Sequence, residues 1–170
     1  MGGLIASGFV LRRAARIPAV SSLLLSAPAW AVPGIANKIL FALAPMLAAV
    51  LPTLDLSNGL KPQQVSRVDA VVKAYASDPL VHDRITPSWV AAFAREQRFV
   101  AQHIDQLQLP TLLLVAEADS LTDPQWAQKL FQQIASATKQ MVLYPHAYHE
   151  IFNEPESREA LAVCSAFIQQ

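Results

Sequence analysis

The chain has 170 residues, a size that fits one domain, and 53% of them are hydrophobic, ample for a buried core. Its 13 Lys+Arg balance its 13 Asp+Glu, so no net field draws it to polyanions, and nucleic-acid binding is disfavoured. The single cysteine, Cys164, excludes an internal disulfide, and its setting between Leu161 and Phe167 reads as the apolar face of a helix.

Residues 2–16 carry good helix formers and end on Arg12, Arg13 and Arg16, cations that suit the negative end of a helix dipole. Residues 19–26 are a short apolar run closed by Pro28, with the length and bounds of a buried strand. The same arginines, followed by residues 17–26 and by Ala29, Trp30 and Ala31, also admit a second reading as a cleavable secretory leader. Against that reading, residues 4–11 are already apolar ahead of the arginines, and Pro18, Ser21 and Ser22 interrupt the apolar region.

From Pro28 to Asp83 the chain is proline-rich and dominated by Ala and Leu, with turn signals at Ser57 to Gly59 and at Lys61 and Pro62, and it reads as an inserted helical subdomain. Its longest apolar stretch, residues 37–51, contains Pro45 and falls short of the roughly 20 residues that a bilayer requires. Leu40, Leu43, Leu47, Val50 and Leu51 lie close to one helical face, which suits packing on the rest of the chain, covering a pocket, or peripheral contact with a membrane or lipid.

Residues 110–116 form a continuous apolar run, as expected of a central parallel strand covered on both faces. Asp123 and Pro124 then open a helix with Trp126, Leu130, Phe131 and Ile134 at helical spacing, and residues 139–144 supply a third strand. Glu154 and Pro155 introduce a final helix, with Leu161, Val163, Cys164, Phe167 and Ile168 on or near one face. Strands alternating with helices predict an α/β fold with about three parallel strands, flanking helices and the inserted helical cap. His82, His103, His146 and His149 show no metal-ligand spacing, so neither a metal nor another cofactor is expected.

Open α/β sheets place their sites at the C-terminal ends of strands. The loop after residues 111–116 carries Asp119, and the loop after residues 139–144 carries His146 and His149. Adjacent parallel strands bring such loops together. An imidazole held by a carboxylate through one nitrogen keeps the other free to accept a proton, so Asp119 with His149 predicts a base and its orienting acid. The structural alternatives are a turn or cap role for Asp119, as expected for Asp123, and a loop role for His149, with His146 as its neighbour in contention. Ser26 ends a strand but lies in no elbow that exposes its hydroxyl, and Ser7 falls within a helix.

The opening Met1-Gly2-Gly3 is similar to the residues just after the serine in a Gly-His-Ser-Met-Gly-Gly elbow. With residues 24–28 (Leu-Leu-Ser-Ala-Pro), Ser66-Arg67, residues 74–82, Ala118-Asp119, Asp123-Pro124 and residues 147–154 (Ala-Tyr-His-Glu-Ile-Phe-Asn-Glu), the chain resembles the C-terminal half of a serine α/β-hydrolase. The resemblance is to the monoacylglycerol lipase and lysophospholipase-like, serine aminopeptidase S33-type family, and it covers essentially all 170 residues.

That resemblance implies a core made of residues 1–28 and 84–170 and a cap over residues 29–83. It implies Asp119 as the triad acid, His149 as the triad base, and Tyr75 as a contact to the alcohol part of an ester. The family's nucleophilic serine would precede Met1, and Met1 would hold an oxyanion-hole position that its α-amine impairs. A carboxylic-ester hydrolase acting on monoacylglycerols, lysophospholipids or similar acyl esters is therefore expected of the complete protein, cytoplasmic or peripheral to a membrane. For these residues alone the expectation is an inactive, self-associating product. The rival expectations are a non-enzymatic truncated product or binding module, and a secreted protein with an N-terminal signal.

Overall fold

In chain order the elements are α1 (Gly2–Arg13), β1 (Leu23–Ser26), α2 (Ile35–Val50), β2 (Leu56–Ser57), α3 (Asp69–Ser77), β3 (Arg84–Ile85), α4 (Pro87–His103), β4 (Thr111–Ala116), α5 (Pro124–Gln133), β5 (Lys139–Tyr144) and α6 (Ser157–Ile168). The computed structural model describes residues 1–13 and 20–169. The expected helix end at Arg16 and strand start at Ala19 lie outside the described residues.

The three segments read as strands form one parallel sheet in the order β1-β4-β5. Every residue of the central β4 is buried, because helices cover both of its faces. Its side chains alternate between them. Leu113 and Val115 join Leu4 and Val10 of α1 and Ala127 and Leu130 of α5 on one side. Leu112, Leu114 and Ala116 meet Ala160 and Phe167 of α6 on the other. The result is a three-layer α/β fold.

Part of the stretch that also reads as a leader is built into this core. Leu23, Leu25 and Trp30 are buried, Trp30 to 1% exposure. The Trp30 indole N–H donates to Ser7 Oγ at 3.0 Å, and that hydroxyl donates to the Gly3 carbonyl at 2.7 Å, tying α1 to the chain beyond β1.

Helix α4 has no counterpart in the sequence reading. Thr86 caps it by accepting the Trp89 N–H, Pro87 occupies its first turn, and Val90, Ala91, Ala94 and Val100 are buried. The Thr86-Pro87 pair was the available start signal. Its buried stripe is built largely from small residues, so the apolar periodicity is faint.

Two amphipathic faces differ from expectation. Helix α2 packs through Leu40, Phe41, Ala44 and Ala48 onto Val90 and Ala91, whereas Leu43 and Val50 are exposed; the small Ala44 allows the close approach of α4. In α6, Ala160 and Phe167 face the sheet while Leu161 and Ile168 are exposed. Beside them the outer edge of β1 has no strand partner among the described residues. Leu161 lines an open recess there with Leu24, Ser26, Phe152 and Cys164. Ile134 is buried as expected, but it lies one residue past the end of α5.

Within residues 29–83, Gly59 turns the chain at a positive φ of 69°, and a 3-10 turn follows at Pro62–Gln64. The antiparallel pairing of β2 with β3 closes this excursion just before α4.

Candidate active site

The register pairs Ala116 with Tyr144, so β4 and β5 end level and their following loops lie side by side. Backbone bonds fix them: Glu117 N–H donates to Tyr144 O at 3.0 Å and Ala118 N–H to Ala147 O at 3.2 Å. Asp119 and His149 sit on these two loops.

The Asp119 side chain is fully buried, and four donors surround it. Its Oδ1 accepts the backbone N–H groups of Leu121 at 2.7 Å and Thr122 at 3.1 Å. Its Oδ2 accepts the Thr122 hydroxyl at 2.6 Å and His149 Nδ1 at 2.8 Å. Burial pushes the carboxyl upward, but the bond and charge of His149 and the bonds from Thr122 and Leu121 outweigh it, leaving Asp119 below its ordinary 3.8. An ionised carboxylate only accepts, so Nδ1 carries the proton, and in the neutral imidazole Nε2 keeps a free lone pair. This arrangement suits a general base held by an orienting acid.

Thr122 was not anticipated. Its place three residues after Asp119 is the local signal that could have found it, because aspartate binds nearby backbone groups in such turns. Asp123 caps α5 by accepting the Trp126 N–H, the role expected of it.

The other candidates fall in different places. His146 is exposed and has no hydrogen bond to Asp119. Tyr75 is half-buried on α3, and no hydrogen bond joins it to Asp119 or His149. Ser26 lines the recess at the β1 edge, and Ser7 is buried in its bond with Trp30.

The α-amine of Met1 is held below its ordinary value by burial, against the opposing pull of the Asp119 charge, which places that terminus in the field of the pair. Met1 also lines an apolar groove of about 510 Å³ with Leu4, Ile5, Phe9, Trp89 and Phe93. Among the described residues, no group of three His, Cys, Asp or Glu side chains is placed to hold a metal ion. No helix there is long and apolar enough to cross a membrane.

Two buried carboxylates make the stability of the fold depend on pH. Asp119 and the fully buried Glu154 both titrate below their ordinary values of 3.8 and 4.5 in the fold. For Glu154, burial raises the carboxyl and the bond from Arg67 leads the lowering. Depressed carboxyls contribute stability above their unfolded values and lose it as pH falls through their folded ones. The unfolding temperature is therefore expected to fall on acidification below pH 4.5. Asp119→Asn should flatten part of that fall, and a profile unchanged by the substitution would contradict the pairing.

Residues 1–156 match the family model described as serine aminopeptidase, S33. The monoacylglycerol lipase of Mycolicibacterium smegmatis is 31% identical over 170 residues, which are 99% of this chain and 60% of that protein. Phospholipase YtpA of Bacillus subtilis is 30% identical over 172 residues, 100% of this chain and 65% of that protein. The crystal structure of Paleococcus ferrophilus monoacylglycerol lipase matches with a TM-score of 0.89 at 31% identity, covering 98% of this chain and 65% of that one. The chain thus spans between 60% and 65% of the length of these relatives.

Proposed function

The chain belongs to the serine aminopeptidase S33 family, and from that membership we propose that residues 1–170 carry the acid and base of a serine carboxylic-ester hydrolase of monoacylglycerol lipase or lysophospholipase type. The observation that carries this reading is the 2.8 Å bond between His149 Nδ1 and Asp119 at the ends of neighbouring parallel strands. In this reading the chain corresponds to the C-terminal part of the hydrolase, with residues 29–83 as its cap.

The reaction runs by acyl transfer. A serine in a Gly-x-Ser-x-Gly elbow, ahead of Met1 in the complete protein, attacks the ester carbonyl while His149 Nε2 takes its proton. Asp119 stabilises the imidazolium, and the backbone N–H at the Met1 position donates to the oxyanion. His149 returns the proton to the departing alcohol, for which Tyr75 is the proposed contact. Water then attacks the acyl-enzyme, again with His149 as base. The apolar groove beside Met1 supports an acyl-chain substrate.

A base without its nucleophile forms no acyl-enzyme. The purified 170-residue chain is therefore expected to hydrolyse no p-nitrophenyl ester and to take no fluorophosphonate label. Joined behind the N-terminal portion of a monoacylglycerol lipase relative, it should gain both. Labelling of the isolated chain, or a folded chimera with no turnover, would overturn the reading.

The open β1 edge, flanked by exposed Ile5 and Phe9 on one face and Leu161 on the other, supports self-association of the isolated chain. Exposed Ile39, Met46, Val50 and Leu80 in the cap support peripheral contact with lipid, in a cytoplasmic or membrane-surface setting. Gel filtration should show species larger than the monomer, and vesicles should retain the chain on sedimentation. A single monomer peak and an unbound supernatant would exclude both.

A further inference from the structure

Residues 64–68 touch both loops that carry the Asp119–His149 pair. On the Asp119 side, Gln64 Nε2 donates to Ser120 Oγ at 3.0 Å. On the His149 side the bonds are denser. Glu150 N–H donates to Val65 O at 2.9 Å, Ser66 Oγ to Asn153 O at 3.0 Å, and Arg67 N–H to Glu154 Oε1 at 2.7 Å. The Arg67 guanidinium completes the grip, Nε donating to Glu154 and Nη2 to Glu156.

This segment is built rather than draped. Val65, Ser66 and Glu154 are each 2% exposed, and Ser66 Oγ also accepts the Val68 N–H at 3.0 Å. The Glu154 carboxylate has no exposed surface, while its arginine partner keeps 28% of its side chain in contact with water. A buried carboxylate deprived of its cation is strongly unfavourable, so its loop is held in the one place where Arg67 reaches it. Glu154 lies five residues beyond His149, with the 3-10 turn Ile151–Asn153 between them. Residue 68 leads directly into α3, so the segment connects the proposed cap to the pair.

We propose that Arg67 and Glu154 are positioning residues: by clamping the loop of residues 149–154 to residues 64–68, they hold the His149 ring so that Nδ1, not Nε2, carries the proton and faces Asp119. The inference rests on the reading of Asp119 and His149 as acid and base. It adds that the aim of the base is set from outside both loops.

The tautomer of His149 tests this in the chain as it exists. Protein labelled with 15N only in histidine has four imidazoles, and His149→Gln identifies the signal of interest. Spectra recorded near pH 8, in solution or in the packed solid if the protein associates, distinguish Nδ1–H from Nε2–H. Wild type should show His149 as Nδ1–H. Arg67→Ala and Glu154→Gln should lose that single form and show a mixture containing Nε2–H, the form that free imidazole prefers in water, whereas Arg67→Lys should retain mostly Nδ1–H. Folded Arg67→Ala and Glu154→Gln variants with the wild-type signal would overturn the proposal. If far-UV circular dichroism shows either variant unfolded, Ser66→Ala, which deletes only the hydroxyl bonds, is read by the same two outcomes. Asp119→Asn separates the two ideas: a His149 tautomer unmoved by that change would refute the acid-base pair itself.

Discussion

Asp119→Asn is expected to lower kcat about 10⁴-fold in the protein completed by its serine elbow, with KM changed little. The amide cannot serve as an acceptor at both of its positions, yet Oδ1 takes two backbone N–H groups and Oδ2 takes the Thr122 hydroxyl and His149 Nδ1. Its NH₂ is driven to the Oδ2 position, where it confronts His149 and favours the tautomer with the proton on Nε2. The base is then protonated at the nitrogen that must accept the serine proton. A loss seen mainly in KM would assign Asp119 to substrate binding instead. Measuring kcat and KM separately on a soluble short-chain ester decides between them.

Trp30→Ala should destabilise the fold by about 3–5 kcal/mol, the range for deleting a large buried aromatic side chain. The indole is 1% exposed and packs in the cluster that contains Leu4, Leu25 and Val115. It also donates to Ser7 at the inner face of α1. Trp30→Phe separates the two contributions, since it keeps most of the packing and removes the N–H; about 0.5–1.5 kcal/mol is expected from that bond. Urea unfolding followed by circular dichroism reads both variants. Equal losses for the two would mean that the hydrogen bond, not the burial, dominates.

The central strand was legible because it is covered on both faces and appears as an unbroken apolar run, differing from expectation only at Pro110, and the edge strand β5 at residues 139–144 also has the expected limits. The start of α5 was equally plain, since Asp123 and Pro124 are a cap and a first-turn residue adjacent in sequence. Helix α4 was not, because a buried stripe containing Ala91, Ala94 and Gln97 has little hydropathy to detect. The faces of α2 and α6 also escaped. Apolar residues fill more than one side of each helix, and only the position of α4 and the open β1 edge decides which side is covered.

From residue order alone came the parallel α/β class, the pair Asp119 and His149, and the family resemblance that its motifs support. These are local properties: a covered strand must be apolar throughout, and chemistry at a strand end must lie within a few residues of it. Tertiary structure alone decided that Trp30 locks onto α1 and that Arg67 reaches Glu154 across 87 positions of chain. Such contacts join side chains whose partners are chosen by how the elements pack, so no spacing in the sequence announces them.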